Sequence, residues 1–243
     1  MIDTINLLLS HNTIRSFKND PIPKEDIERA VRCGQKAATS SFIQAYCAFN
    51  INDPDIKKKF VELSGGQRVV ENAPHFMVIC GDTKRHRLLV ERNDYCYESN
   101  FESLLLSIID ASIFAQNIVI GFEAMGYGTC YVGGIRNDIP AVAELLSLPI
   151  GVYPLFGLCI GKPAEHPIPR PRLPIEAVVF DGCYPDDDSM ISMIKDYDKT
   201  VSTYYEERGG SINTWSEPII KTFSTPRRKK TAFWYQKLGA ITE

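Results

Sequence analysis

An α+β fold is the expectation for this 243-residue chain, and three observations carry it. Three or four short strand-like runs stand among about eight helical stretches, and the two kinds do not take turns as a doubly wound α/β sheet requires. A composition of 44% hydrophobic, 10% aromatic and 23% charged residues supplies an ordinary globular core, which excludes intrinsic disorder and collagen-like structure. The length corresponds to about 1.6 domains at ~150 residues each, so one large domain, or one with an appendage.

Residues 2–10 place Ile2, Ile5, Leu8 and Leu9 at helical spacing and end at Ser10-His11-Asn12-Thr13. Ile22-Pro23-Lys24-Glu25-Asp26 opens a second helix, with proline and acids in its first turn and Ile27, Ala30 and Val31 on one face. Ala45 to Ile51 alternates loosely and predicts a strand. Lys57 to Leu63 predicts a short amphipathic helix stopped by Ser64-Gly65-Gly66, and His75 to Cys80 a second strand, apolar enough to be central. Residues 100–125 predict the longest helix, apolar nearly all round, the pattern of a core helix or a subunit interface. Its Asp110, Gln116, Asn117 and Glu123 would be costly in hydrocarbon, so the stretch reads as buried in protein and no membrane association is expected.

Glycine ends that helix at Met125-Gly126, and Cys130-Tyr131-Val132 begins a strand cut off by Gly133-Gly134. Asn137 to Leu146 reads as a helix and Val152 to Ile160 as another buried strand. Five prolines at 163, 167, 169, 171 and 174 predict a stiff, extended crossing segment. After Asp186-Asp187-Asp188 comes a polar helical arm, Met190 to Glu207, then Gly209-Gly210 and a basic helical stretch.

Lys plus Arg number 27 against 30 Asp plus Glu, a net charge of −3, which argues against a nucleic-acid binder. The run Arg227-Arg228-Lys229-Lys230 reads as a solvated helix face. Seven scattered cysteines without a Cys-x-x-Cys pair fit a reducing, cytoplasmic compartment. The four histidines form no cluster with cysteine, so no metal site is expected. Met1-Ile2-Asp3 lacks a basic n-region, so no secretory signal is expected.

Gly126-Tyr127-Gly128 fails as a dinucleotide fingerprint, because Tyr131 stands where a third glycine belongs and the order is helix then strand. Gly133-Gly134 reads either as a strand end with unusual backbone angles or as a place where backbone N–H groups approach a flat ligand. His11 and Arg15, spaced i, i+4, would share a face on a helical turn and with Thr13 offer donors to an anion, unless they simply decorate a solvated helix end. Arg170-Pro171-Arg172 is a second short cationic cluster. Two such clusters suit a phosphate monoester, since guanidinium forks match phosphate oxygens. The hydroxyls of Thr39-Ser40-Ser41 read as helix caps or as hydrogen-bond partners of a polar heteroaromatic ring, and Gly65-Gly66-Gln67 supplies an amide after a turn. No nucleophile stands with a base and no carboxylates pair at catalytic spacing, so a bound cofactor would carry any chemistry.

Several stretches together form a known pattern: Ser10-His11-Asn12-Thr13-Ile14-Arg15-Ser16-Phe17, Ala38-Thr39-Ser40-Ser41-Phe42-Ile43-Gln44, Gly65-Gly66-Gln67, Asp110-Ala111 through Ala115-Gln116-Asn117, Tyr131-Val132-Gly133-Gly134-Ile135-Arg136-Asn137, Pro154 to Gly161, Pro169-Arg170-Pro171-Arg172-Leu173-Pro174 and Thr214-Trp215-Ser216. In this order, over almost the whole chain, they resemble the FMN-dependent nitroreductase superfamily, in the group of oxygen-insensitive NADPH nitroreductases and NADPH–flavin oxidoreductases. The resemblance implies a mainly antiparallel sheet flanked by helices, in a single domain over 1–243. Residues 1–160 would form the core and 161–243 an extension wrapping the partner of an intertwined homodimer. It implies FMN at the subunit interface, with His11, Thr13, Arg15, Arg170 and Arg172 on its phosphate and ribityl chain. Thr39, Ser40 and Gln67 would bond the ring or ribityl groups, and the backbone of Tyr131, Val132, Gly133 and Gly134 would lie along the ring. Ser41 and Phe42 would border the acceptor, and Arg208 would meet the nicotinamide dinucleotide.

The implied activity is ping-pong two-electron transfer from NADPH or NADH to nitroaromatics, quinones or free flavin. A flavin reductase feeding a monooxygenase is the alternative, and a non-catalytic flavin carrier a more distant one. Against the group's pattern, Asn12 replaces an arginine, Thr13 a serine and Arg170 a lysine. The interval after Arg208, Gly209-Gly210-Ser211-Ile212-Asn213, is short and lacks a second arginine. One missing charge-assisted contact, worth ~1.5–3 kcal/mol, would lower NADPH preference about ten- to a hundredfold, which leaves NADH open.

Overall fold

The structure, a computed structural model, describes residues 3–210 and 213–240. Ile2 of the first expected helix, and Ser211 and Ile212 after Arg208, lie outside the described residues. The chain forms two compact units: one runs through Pro167 and resumes from Lys230, and the other is Ile168–Lys229.

The first unit is built on four strands, β1 (Tyr46–Asn50), β2 (His75–Asp82), β3 (Gly128–Val132) and β4 (Val152–Gly161), in the order β1-β2-β4-β3 with every pairing antiparallel. The helices of this unit are α1 (Thr4–Leu9), α2 (Lys24–Gly34), α3 (Pro54–Leu63), α4 (Arg68–Asn72), α5 (Lys84–Arg92), α6 (Phe101–Ala124) and α7 (Ile139–Leu145). Strands β2 and β4 read as unbroken apolar runs because both of their faces are covered. Met77, Ile79, Leu158 and Ile160 pack against Ala30 of α2 and Ala111, Phe114, Ile118 and Phe122 of α6. On the opposite face Phe76, Val78, Cys80 and Cys159 meet Phe60 of α3, Val70 of α4 and Val142 of α7. Each such large side chain contributes about 1.5–3 kcal/mol by leaving water.

Pro154 sits in a central strand, where a missing N–H would ordinarily break the ladder. The register resolves this: Ile79 pairs with Phe156 and Cys80 with Pro154, so Leu155 is the extra residue of a bulge, a place where proline is tolerated. Helix α6 starts at an Asn100–Ser103 capping box and lies close under α2; a Cβ on Gly121 would stand 3.2 Å from Ala30 Cα. As expected from its internal polar residues, α6 is a core helix. Even so, Phe101, Leu105, Ile109 and Ile113 leave an exposed apolar stripe at i, i+4 spacing.

The last helix, α10 (Thr231–Lys237), belongs to this unit, with Tyr235 Oη donating to Pro154 O at 2.8 Å and Gly151 N to Leu238 O at 2.8 Å. The second unit contains α8 (Asp187–Glu207) and α9 (Ser216–Ser224). Its proline-rich stretch is tied to α8, because Tyr197 and Tyr204 hydroxyls donate to Pro171 O (2.9 Å) and Ile168 O (3.2 Å). Asp198 of α8 accepts from the Trp215 and Ser216 amides, both at 2.9 Å, and from the Ser216 hydroxyl, which explains the Thr214-Trp215-Ser216 motif as a helix start. The structure corrects one reading here. Arg227 to Lys230 are exposed but not helical: Pro226 follows the end of α9 and Arg228 takes φ 57°, so the run lies in a turn between α9 and α10.

Candidate active site

The segment bearing His11, Thr13 and Arg15 is not the helical turn that the i, i+4 spacing suggested. Helix α1 ends at Leu9, and Thr13 instead makes a parallel bridge to Thr129 on the edge strand β3, with Ile14 N donating to Thr129 O at 2.9 Å. Ile14 is buried, and Arg15 beside it is exposed. An unpaired strand edge, rather than helical propensity, therefore sets this conformation. On its other side the segment meets the crossing chain: Lys18 N donates to Lys162 O, Ala164 N to Ser16 O, and Asn12 Nδ2 to Pro167 O at 2.8 Å. Asn12, where the resemblance places an arginine, is thus a tie between chain segments.

Two acids hold this segment, and the sequence reading missed both roles. Glu165 Oε1 accepts from the Arg15 and Ser16 amides at 2.7 and 2.9 Å, which fixes the backbone and leaves the Arg15 side chain in solvent. Glu123, near the end of α6, pairs with His11 Nδ1 at 2.7 Å and accepts from Thr129 Oγ1 at 3.3 Å. A cavity of about 270 Å³ opens here, lined by His11, Asn12, Glu123, Gly128, His166 and Pro167.

Thr39 precedes a 3-10 turn, Ser40–Phe42, before β1, in which the backbone of Ser41 and Phe42 is left-handed at φ 47° and 60°. Phe42 is 80% exposed, while Asp110 of α6 is 1% exposed and holds the loop from below. Asp110 was legible as one of the few polar residues of a largely apolar helix and as part of the Asp110-Ala111 anchor. A separation of 65 to 71 residues hid its partners.

Gln67 stands just before α4 after Gly65 and Gly66, its side chain making no cap bond to the helix; its Nε2 donates to Ser64 O at 3.0 Å. The structure brings this turn against Gly134: a Cβ there would lie 2.6 Å from Ser64 O and would also strike the Gln67 amide. Gly134 thus needs to be glycine for close approach. Arg136 anchors the same turn by donating to Leu155 O in the β4 bulge. Val132 is 1% exposed, so its backbone rather than its side chain is available. Tyr131 is partly exposed at the rim, edge-on to Phe156, with its hydroxyl facing Gln116 Oε1 at 3.4 Å. Desolvation and then the charge of Glu123 raise its pKa, so it remains a neutral phenol.

The remaining candidates belong to the second unit. Arg170 and Arg172 are exposed on the extended stretch, with Arg172 Nη1 donating to Arg170 O at 2.9 Å. Arg208, at the end of α8, is exposed, donates to Tyr204 Oη at 2.6 Å and lies over that ring at 5.4 Å. Arg170, Tyr197, Tyr204 and Trp215 help line a cavity of about 140 Å³.

The profile of the "Nitroreductase family" matches residues 8–162, and that of the "Nitroreductase family, C-terminal domain" matches 170–242. The chain is 42% identical over 226 residues to a Bacillus subtilis (strain 168) protein named "FMN reductase (NADPH)", covering 90% of this chain and 91% of that one. It is 42% identical over 244 residues to an "NADPH-dependent oxidoreductase" of Staphylococcus saprophyticus, covering 97% of each. Among solved structures it resembles the NfrA1 nitroreductase from B. subtilis (39% identity, TM-score 0.94, 98% of each chain). It also resembles the NADPH:FMN oxidoreductase from Vibrio harveyi complexed with NAD+ (31% identity, TM-score 0.90, 99% of each chain).

Proposed function

Because this chain belongs to the nitroreductase family, we propose that it is an FMN-dependent oxidoreductase. It takes electrons from NADPH or NADH and passes them in pairs to flat, electron-poor acceptors such as nitroaromatics, quinones or free flavin. The observation that carries this reading is the meeting of Gln67 with Gly134 of the paired glycines Gly133 and Gly134, within the same unit as the cationic segment His11–Arg15. Missing Cβ atoms, exposed hydroxyls and a carboxamide fit a ring with mixed donors and acceptors, and the basic residues fit its phosphate.

FMN, when bound, supplies the reversible two-electron chemistry that no side chain here offers. His11, Thr13, Arg15, Arg170 and Arg172 are its proposed phosphate and ribityl partners, with Thr39, Ser40 and Gln67 bonding polar atoms of the ring or ribityl chain. The backbone of Tyr131 to Gly134 serves the ring and offers fixed N–H dipoles to developing negative charge. Ser41 and the exposed Phe42 border the acceptor and keep water from a stacked aromatic. Arg208, held over Tyr204, receives the dinucleotide, and the extra arginine expected after it is absent from the sequence.

The exposed stripe Phe101, Leu105, Ile109 and Ile113 supports a homodimer, since an apolar helix face of this kind calls for a partner. The proposed partner-embracing extension is taken as Ile168–Lys229, since α10 packs within the first unit. Seven free cysteines support a cytoplasmic location. The name of the Bacillus subtilis relative favours a second reading, in which free FMN is the main acceptor. The test is an absorbance spectrum of purified protein, then anaerobic titration with NADPH and with NADH. Bound flavin bleached by a nicotinamide upholds the reading, and flavin that neither donor bleaches refutes it. The ratio of kcat/KM for FMN to that for a nitroaromatic separates the two acceptors.

A further inference from the structure

Asp110 is the buried acid of α6 whose contacts converge on one loop. Its Oδ2 accepts from Thr39 Oγ1 at 2.5 Å and from Ala45 N at 2.9 Å, and its Oδ1 from Ser40 N at 3.2 Å. Gln44 N donates to Thr39 Oγ1 at 2.8 Å, which closes the loop on itself. Between these ties Ser41, Phe42 and Gln44 take φ of 47°, 60° and 52°, half of the non-glycine positions with positive φ among the described residues. Residues with a Cβ leave that region unless their surroundings hold them. A carboxylate can supply the hold: it accepts at every lone pair, and bonds to an ionised acceptor are roughly twice as strong as neutral ones. Burying an acid in a helix is costly unless such bonds compensate, and all three lead to the segment that carries Phe42.

We propose that Asp110 is a positioning residue for the reaction, holding Thr39–Ala45 so that Ser41 and Phe42 stay where an acceptor stacks. This rests on the reading of that loop as the border of the flavin site. Asp110→Asn in the flavin-loaded enzyme is the test. The amide keeps the shape, but its NH2 must face at least one donor among Ser40 N, Ala45 N and the Thr39 hydroxyl. The expected result is a KM for p-benzoquinone raised at least fivefold with kcat within threefold, and faster hydrogen exchange at the Ser40 and Ala45 amides. A lower unfolding temperature with unchanged KM marks a merely structural acid and overturns the proposal. Should that variant not fold, Asp110→Glu keeps the acid and displaces the carboxylate by one methylene from Ser40 N, Ala45 N and the Thr39 hydroxyl. It is expected to raise the same KM at least threefold and to speed exchange at the Ser40 and Ala45 amides, and wild-type values of both overturn the proposal. Wild-type protein that is yellow and bleached by NADPH upholds the functional reading independently, so unchanged KM in the variants counts against Asp110 alone.

Discussion

The turn Gly133–Asn137 and the loop Thr39–Ala45 both present backbone at the candidate site, and they are made in opposite ways. The turn uses glycine for space: nothing larger fits between Gly134, Ser64 and Gln67. The loop puts serine, phenylalanine and glutamine into backbone conformations that glycine would take freely, and one buried carboxylate keeps them there. A glycine-built turn is rigid through contact on every side, and a substitution breaks it by collision. A loop of larger residues retains side chains for recognition, and its weak point is the group that holds it.

The largest effect is expected at the turn. Gly134→Ala drives a methyl group against the Ser64 carbonyl, a backbone atom that cannot swing away. The cost is about 3 kcal/mol, the upper range for overpacking, or a fall of about 6–12 °C in Tm for a chain of this size. The purified variant should also be colourless. A yellow, equally stable Gly134→Ala would mean that the turn has slack and that the contrast with the loop is overstated.

The two segments differed in how far they could be read beforehand. Gly133-Gly134 is visible in sequence but open to two readings, unusual backbone angles or close backbone approach; neither glycine takes positive φ, and Gly134 lies close against Ser64 and Gln67. The four strands were legible as apolar runs, and α6 as a long apolar helix. Helix α5 was not, since Lys84-Arg85-His86-Arg87 opens it without an apolar face. Asp110 stood out as an acid that spoke against a membrane span and as part of the Asp110-Ala111 anchor of the resemblance, with no role attached, and Glu123 only as such an acid. Their partners Thr39 and His11 lie 71 and 112 positions away, and no local pattern connects them. Likewise the conformation of His11 to Arg15 depends on the open edge of β3, which periodicity cannot show.

Any test of the site must be kept apart from the pH response of the sheet beneath it. His75, at the start of β2, is buried with Nε2 facing Asn50 Oδ1 at 3.2 Å. Desolvation, and then the charge of Lys57, lower its pKa from 6.5 to about 4. Between those values the unfolded chain binds a proton that the folded chain does not. Stability is therefore intact above pH 6.5 and falls as pH drops toward 4. The loss reaches up to about 3 kcal/mol at ~1.4 kcal/mol per pH unit. Chemical denaturation at pH 7 and 4.5 measures it, and His75→Gln should flatten the difference. If wild type shows no His75-dependent slope, low-pH losses of activity belong to the site instead.

Arg15→Ala sharpens the comparison from the side of the phosphate. The Arg15 backbone is held by Glu165 and its side chain is exposed, so removal leaves the fold intact. Loss of a charge-assisted contact worth ~1.5–3 kcal/mol weakens FMN binding about ten- to a hundredfold, measured by fluorescence titration of the apoprotein. Unchanged affinity would remove Arg15 from the phosphate site.

The smallest effect probes the loop directly. Gln44 sits at φ 52°, and its side chain makes only a long bond to Phe42 O at 3.3 Å. Gln44→Gly relieves a left-handed backbone cost of about 1–2 kcal/mol against about 0.5–1 kcal/mol of added chain entropy, so stability should rise by about 0.5–1 kcal/mol, or about 1–4 °C in Tm. In the Asp110→Asn background the same change should recover part of the lost acceptor affinity, because glycine adopts the left-handed angle without being held. Equal effects of Gln44→Gly with and without the carboxylate would show that Asp110 and the strained backbone act independently. The loop would then be held by its own closure at Thr39, and its strain would no longer set it apart from the turn.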